Sequence, residues 1–240
     1  GQTLAPRRVH VVENCSRDRT LRVAEELAAE DPRVQVVRAT RCGEGAARNR
    51  GLAEAEGADL VALLDADDLW EPAFLAAAAA ALRAAPPGTG VVHAEYRLID
   101  EAGRPFAGRT RRATRSGDIF RPLLLDAYAV TGSMSGSVIH GSLVREGLRF
   151  DENLWFAEDW EFWLRVARRC GFVPIHQPLV NIRIRGDSVQ RASGQGAESE
   201  VALLRIELEI MRRHLDAVEE SELADAMRRR VLVRAFALRH

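Results

Sequence analysis

The chain has 240 residues, 47% hydrophobic and 29% charged, enough for one large domain, or one and a half, with a substantial core, and global disorder is excluded. A formal net charge of −1 gives no overall electrostatic reason to expect nucleic acid or an anionic membrane as partner. Cys15, Cys42 and Cys170 lie far apart without paired metal spacing, so neither a zinc site nor a disulfide framework is expected, and a reducing cytoplasm fits best.

The longest apolar stretch, Ala73 to Leu82, is too short and too alanine-rich to span a bilayer. Gly1 to Arg8 lacks the apolar region of a secretory signal, and the absence of an initiator methionine suits a fragment.

Taken in order, Val9–Val12 reads as a buried strand ended by the turn-rich segment Glu13–Asp18. Leu21–Glu30 has helical spacing, with Val23, Ala24, Leu27 and Ala28 on one face, and Pro32 stops it. A second strand, Val34–Val37, leads through the glycine-bearing loop Arg41–Gly45 into a helix over Ala46–Ala55. Leu60–Leu64 is a third apolar strand and Ala73–Ala85 a helix closed by Pro86-Pro87-Gly88. Strands alternating with helices predict an α/β open sheet with parallel crossovers, whose ligands sit beyond the carboxyl ends of the strands.

The pattern then changes. Val91–Ile99 and the turn Asp100–Gly103 predict a hairpin, followed by a basic, mobile loop over Arg104–Ser116. Ile119–Asp126 reads as a helix and Gly132–Ile139 as a small-residue strand region. Phe156–Cys170 is an aromatic-rich helix with Gly171 as the residue just past its end. Residues 198–240 carry two helical patterns split near Leu215–Glu222, their Glu and Arg side chains forming a solvated face.

The most informative stretch is the third strand with the acidic turn at its carboxyl end, Asp65-Ala66-Asp67-Asp68-Leu69-Trp70. Three carboxylates crowded at a strand end repel one another, so they point to a cleft mouth holding a hard cation. The plainer alternative makes Asp68 an N-cap and Pro72 a first-turn residue, which leaves Asp65 and Asp67 unexplained.

Four segments in order, VVENCSRDRT (11–20), GAARNRGLAEAEG (45–57), LLDADDLWEP (63–72) and FDENLWFAEDWEFWLRVARRCG (150–171), resemble the signatures of family 2 glycosyltransferases. A fifth, NIRIRGDSV (181–189), is similar to the short motif after the family's last core strand. The resemblance implies a GT-A fold over residues 1–190, an open, mostly parallel mixed sheet flanked by helices, with a C-terminal helical extension over 191–240. It implies sugar transfer, with inversion, from a nucleotide-diphosphate donor to a saccharide or lipid-linked hydroxyl acceptor. The setting it implies is bacterial envelope polysaccharide or glycolipid assembly, in the cytoplasm or at the inner membrane face. It also implies that the family's first strand and helix would precede Gly1, leaving this chain N-terminally incomplete.

On that resemblance, Asp67 ligates Mg²⁺ or Mn²⁺ in the DxD motif and Asp65 contacts ribose or metal. Glu13 takes the position that reads the nucleotide base, with Asn14 where a second acid often stands. By itself Glu13 would be an ordinary turn acid. Arg48 and Asn49 open a helix behind a glycine loop, which suits phosphate or base recognition, whereas Arg50 reads as a surface arginine. Asp159 shares a helical face with Trp163, Val166 and Cys170, and the resemblance makes it the general base, with Glu158 the second candidate. The plainer reading of Asp159 is an acid favoured by the helix dipole. Arg185 stands where relatives carry a histidine near the metal; it cannot ligate a cation but can pair with a diphosphate.

His93, His140 and His176 have no ligand spacing and read as structural or surface residues. Of Trp155, Trp160 and Trp163, at least two are expected in the core. Two other classes share parts of this pattern. A nucleotidyltransferase would carry a basic glycine-rich phosphate loop near its start, which residues 1–45 lack, and a non-catalytic saccharide- or nucleotide-binding relative would keep the fold.

Overall fold

The computed structural model describes residues 1–125, 129–130, 134–185, 197–214, 216 and 219–237. The chain opens with β1 (Val9–Glu13), α1 (Thr20–Glu30), β2 (Val34–Arg38) and α2 (Glu44–Glu54). β1 and β2 pair in parallel, Val9 opposite Val34 and Glu13 opposite Arg38. Two parallel strands need a long crossover, and α1 supplies it.

The chain continues through β3 (Leu60–Ala62), β4 (Leu69–Trp70), α3 (Phe74–Ala84), β5 (Thr89–Ile99), β6 (Pro105–Arg111), α4 (Phe120–Leu125), β7 (Ser137–His140), α5 (Gly141–Arg145), α6 (Glu158–Ala167) and β8 (Gly171–Arg183). Its strands form a second sheet in the order β3-β7-β5-β8-β4, with β6 on the side of β5. Only β5 and β8 pair in parallel there; the other pairs are antiparallel. The sheet is therefore mixed as expected, but parallel crossovers dominate only the first sixty residues. Among the described residues β1 pairs only with β2 and β3 only with β7, so each keeps one open edge.

The central strand β5 is buried on both faces over Gly90–Ala94, where both Val91 and Val92 are enclosed although they point to opposite sides, and only half-buried over Glu95–Leu98. Val91 faces a cluster with Leu52, Leu123, Leu148, Phe162 and Phe172, while Val92 and Ala94 face Phe74, Ala78 and Val180. Phe74, Phe162 and Phe172 are fully buried, each stabilising the fold by about 1.5–3 kcal/mol. Gly141 lies where a side chain would run into the Ala58 carbonyl, which lets β7 turn directly into α5 beside the start of β3. Two helices, α7 (Ala197–Arg212) and α8 (Glu220–Ala237), add Leu203, Ile210, Met211 and Ala226 to the buried set.

Several sequence expectations need correction. Val9–Val12 is half-buried, and Val23 and Leu27 of α1 are 51% and 48% exposed, so the apolar face of that helix is only partly covered. The segment read as a mobile basic loop contains β6, drawn into the sheet by main-chain pairing with β5, which its side-chain pattern does not announce. The aromatic helix starts only at Glu158, because Ala157 is left-handed at φ 57°. It ends at Ala167, and Gly171 opens β8 instead of capping α6. Asp126, residues 132–133 of the small-residue segment and residues 186–189 of the last motif lie outside the described residues.

The cysteine reading is also overturned. Cys15 and Cys42 form a disulfide, with Cα atoms 5.7 Å apart and a sequence separation of 27. They come just after the carboxyl ends of β1 and β2, adjacent parallel strands, so a sequence spacing without meaning becomes a spatial pair. Cysteine usage therefore gives no support to a reducing compartment.

Candidate functional site

The third strand ends at Ala62, and the acidic turn beyond it is organised by one buried carboxylate. Asp68 accepts a hydrogen bond from Ser135 Oγ at 2.6 Å and from the Arg183 backbone N–H at 3.0 Å. Ser135 Oγ in turn accepts from the Asp65 N–H at 3.0 Å. Asp68 thus ties the turn to β8 and to the residues before β7. It is not a helix cap, since α3 begins only at Phe74 behind Ala73. Burial pushes its pKa up to about 6, against the hydrogen bonds from Ser135 and Arg183.

With Asp68 committed to structure, Asp65 and Asp67 remain. Asp65 accepts from Arg48 Nη2 at 3.1 Å. Asp67 is partly exposed, and its carboxylate has no hydrogen-bond or ion-pair partner among the described residues. Its carbonyl accepts from Arg183 Nε at 2.8 Å, and Arg183 Nη1 also donates to the carbonyls of Asp100 and Glu101. Arg183 therefore clamps the acidic turn to the β5–β6 hairpin. Nothing in the sequence sets Arg183 apart from Arg185 two positions later, so its role appears only in the fold. Arg185 is exposed and lines a shallow cavity of about 540 Å³ with Asp100, Glu101, Arg104 and Phe106.

Arg48 is the hub of the site. It projects from α2, donates to Glu158 Oε1 at 2.6 Å as well as to Asp65, and reaches Glu44 Oε2 at 3.2 Å. Burial works against its charge, but Asp65, Glu158 and Glu44 more than offset this and hold its pKa above the ordinary value. Three acids around one guanidinium leave excess negative charge. Glu44 absorbs part of it: partial desolvation of its carboxylate, together with repulsion and a hydrogen bond involving Glu158 and repulsion from Asp65, raises its pKa despite the attraction of Arg48. Its side chain is nonetheless 57% exposed, so that proton exchanges readily with solvent.

Glu158 and Asp159 open α6. Glu158 is buried and committed to Arg48, whereas Asp159 accepts one hydrogen bond, from the Trp160 N–H at 2.7 Å. Burial and the adjacent Glu158 push the pKa of Asp159 up to about 6. A carboxylate titrating there is ionised at neutral pH yet basic enough to take a proton. The two neighbours thus have different environments, one locked and one poised.

Among the described residues no hydrogen bond joins the Asn49 side chain to the acids of the turn. Its amide pairs with the backbone of Phe150 in both directions, at 2.7 and 3.0 Å, and donates to Glu152 at 2.8 Å. It fastens the segment that leads into α6, a positioning task the sequence did not reveal. Glu13 is buried at the end of β1, accepts from the Ser16 N–H at 2.6 Å, and lies 3.5 Å from Arg38. Asn14 bonds both ways with the Gly43 backbone and also donates to the Arg41 carbonyl, beside the Cys15–Cys42 bridge. The first two loops are thereby joined covalently and by hydrogen bonds just ahead of α2.

Among the described residues no group of three or more His, Cys, Asp or Glu side chains is arranged to hold a metal ion. A Mg²⁺ or Mn²⁺ can also be held by one or two carboxylates with phosphate and water completing its shell, and Asp67, whose carboxylate has no hydrogen-bond or ion-pair partner among the described residues, is of the residue type such a site uses. The histidines are structural or peripheral. His93 is buried against the Arg115 carbonyl, His140 caps α5 through Ser142, and exposed His176 lies 3.8 Å from Glu95. Trp160 and Trp163 are in the core and Trp155 is 56% exposed.

The model of glycosyl transferase family 2 matches residues 1–135. The uncharacterized protein y4gI of Sinorhizobium fredii is 32% identical over 179 residues, which are 73% of this chain and 18% of that protein. S. aureus TarS 1–349 in complex with UDP superposes with a TM-score of 0.61 at 20% identity, covering 94% of this chain and 62% of that one. The mannosyltransferase PcManGT from Pyrobaculum calidifontis, in complex with GDP-Man and Mn²⁺, gives 0.63 at 18% identity, covering 97% and 64%. This chain therefore spans less than two thirds of the length of these relatives. With the family model matching more than half its length and its mixed sheet flanked by helices matching these structures, the chain belongs to glycosyl transferase family 2 and has the GT-A fold.

Proposed function

We propose that this domain transfers a sugar, with inversion, from a nucleotide-diphosphate-sugar to a hydroxyl of a saccharide or lipid-linked acceptor. The observation that supports this reading is the Arg48 bridge, which joins Asp65 of the acidic turn to Glu158 of α6, next in sequence to Asp159. TarS was solved with UDP and PcManGT with GDP-Man and Mn²⁺, which supports a nucleotide-sugar donor and a divalent cation here.

In this reading Glu13 and Asn14 flank the base, Asp65 meets the ribose or the cation, and Asp67 holds Mg²⁺ or Mn²⁺. The bound cation would supply charge stabilisation for the diphosphate leaving group. Asp159 takes the proton of the acceptor hydroxyl as its oxygen bonds to the anomeric carbon. The bond from that carbon to the diphosphate oxygen breaks, and its electron pair leaves with the nucleotide diphosphate. Glu158 and Arg48 fix the shape of the site, Asn49 positions the segment that leads into α6, and Arg185 is assigned to the diphosphate by its position after the last core strand. Envelope polysaccharide or glycolipid assembly is the setting this reading favours.

Thermal-shift screening with UDP-, GDP- and dTDP-sugars, with and without Mn²⁺, tests the donor class. A metal-dependent rise in Tm with one nucleotide family is expected, lost in Asp67→Asn. No response to any of them overturns the donor assignment.

A further inference from the structure

The near-zero net charge conceals a local imbalance. Residues 104–115 contain five arginines, Arg104, Arg109, Arg111, Arg112 and Arg115, and no acid, so the rest of the chain is net acidic. Arg104 pairs with Asp100 at 2.8 Å, but no ion pair forms at Arg109, Arg111, Arg112 or Arg115 among the described residues. All seven residues of β6 are exposed, the strand pairs only with β5, and Phe106 on it is 42% exposed.

An exposed edge strand commonly carries a charge or two that discourage pairing with another chain. That accounts for isolated charges of either sign, not for a run of one sign continuing past the strand into Arg112 and Arg115. Nor do these arginines form a pocket for a discrete phosphate. None of the four is buried, and the nearest cavity, at Arg104 and Phe106, is lined by Asp100 and Glu101. A row of solvated guanidiniums beside an exposed aromatic ring suits a broad anionic surface, where several lipid head groups are met at once and the ring reaches the interface. No described helix is long and apolar enough to cross a membrane, so such a patch would be a peripheral contact.

We infer that the β6 arm, through Arg109, Arg111, Arg112 and Arg115, docks this domain on a bilayer surface containing anionic lipid. The base of the arm is held beside the acidic turn, since Arg183 clamps Asp100 and Glu101 to the carbonyl of Asp67. Membrane contact would therefore bring the acidic turn to the bilayer surface. That consequence for a lipid-linked acceptor rests on the proposed transfer reaction, whereas the docking itself needs no donor, metal or catalysis.

Co-sedimentation of the chain with phosphatidylcholine vesicles, with and without phosphatidylglycerol, tests it. Binding should require the anionic lipid, weaken with added salt, and fall about fivefold for each arginine replaced by glutamine, since each basic side chain near such a surface contributes about 1 kcal/mol. The four-site variant Arg109→Gln/Arg111→Gln/Arg112→Gln/Arg115→Gln should thus lose more than about a hundredfold by the same rule, with unchanged circular dichroism and Tm because all four side chains are exposed. Equal binding to neutral and anionic vesicles overturns the inference, as does wild-type binding by the variant. Tighter binding to soluble polyphosphate than to anionic vesicles also overturns it, because the arm would then read a soluble polyanion.

Discussion

Arg48 and Glu158, 110 positions apart in sequence, meet at 2.6 Å through charge-assisted hydrogen bonding, and the same guanidinium holds Asp65 at 3.1 Å. The side chains of Arg48 and Glu158 are only 12% and 10% exposed, so neither charge has water to fall back on. Removing one member of a buried pair is costly because the other remains uncompensated.

Arg48→Met should therefore destabilise the fold by about 3 kcal/mol or more in urea denaturation. Arg48→Lys keeps the charge but loses the planar fork that reaches two carboxylates at once, so an intermediate loss is expected. If Arg48→Met unfolds at the wild-type urea concentration, the bridge is not what holds α2 to α6.

Reducing the Cys15–Cys42 bridge should lower stability by about 3–4 kcal/mol, the chain-entropy value for a loop of this length. Thermal unfolding with and without dithiothreitol checks this, and the double variant Cys15→Ser/Cys42→Ser should match the reduced protein. A reductant-dependent shift that persists in the double variant would show that the bond is not its source.

The motifs were legible because their chemistry is local. Three acids after an apolar run, and an acidic pair at the head of an aromatic helix, mark a candidate site wherever the chain puts them. The contacts that join them were not legible. Arg48 could be named, but nothing in the sequence says that it reaches Glu158, nor that Asn49 turns to the Phe150 backbone. Asp68 looked like a cap because helix signals come after it, yet Ser135 and the Arg183 backbone claim it from elsewhere in the chain. The disulfide was missed for the same reason, since parallel neighbours β1 and β2 bring their ends together across α1. In the fold, the parallel β1–α1–β2 crossover read correctly. The hairpin turn after β5 read correctly too, but the antiparallel pairings of β7 with β3 and β5 and of β4 with β8 did not, because nothing in those strands reveals a distant partner's direction.

The raised pKa of Asp159 carries a stability consequence of definite sign. A carboxyl held above its unfolded value of 3.8, at about 6, stabilises the fold fully only below pH 4, and that contribution is lost as pH rises through about 6. Asp159→Asn cannot ionise, so it should escape this loss. It should equal wild type near pH 4 and exceed it above pH 7 by up to about 3 kcal/mol in denaturant melts. A variant that is less stable at both pH values would mean that the charged form of Asp159 is favoured in the fold.

The most direct test of the proposed chemistry compares transfer and binding in that same variant. Wild-type transfer should rise with pH along a single limb centred near pH 6 and then level off, because Asp159 must be ionised to take the acceptor proton. Asp159→Asn should bind the nucleotide donor with Mn²⁺ as tightly as wild type, by calorimetry, while transfer falls about 10² to 10⁴-fold and the limb disappears. Undiminished transfer in Asp159→Asn, with the limb intact, would contradict the assignment of Asp159 as the base.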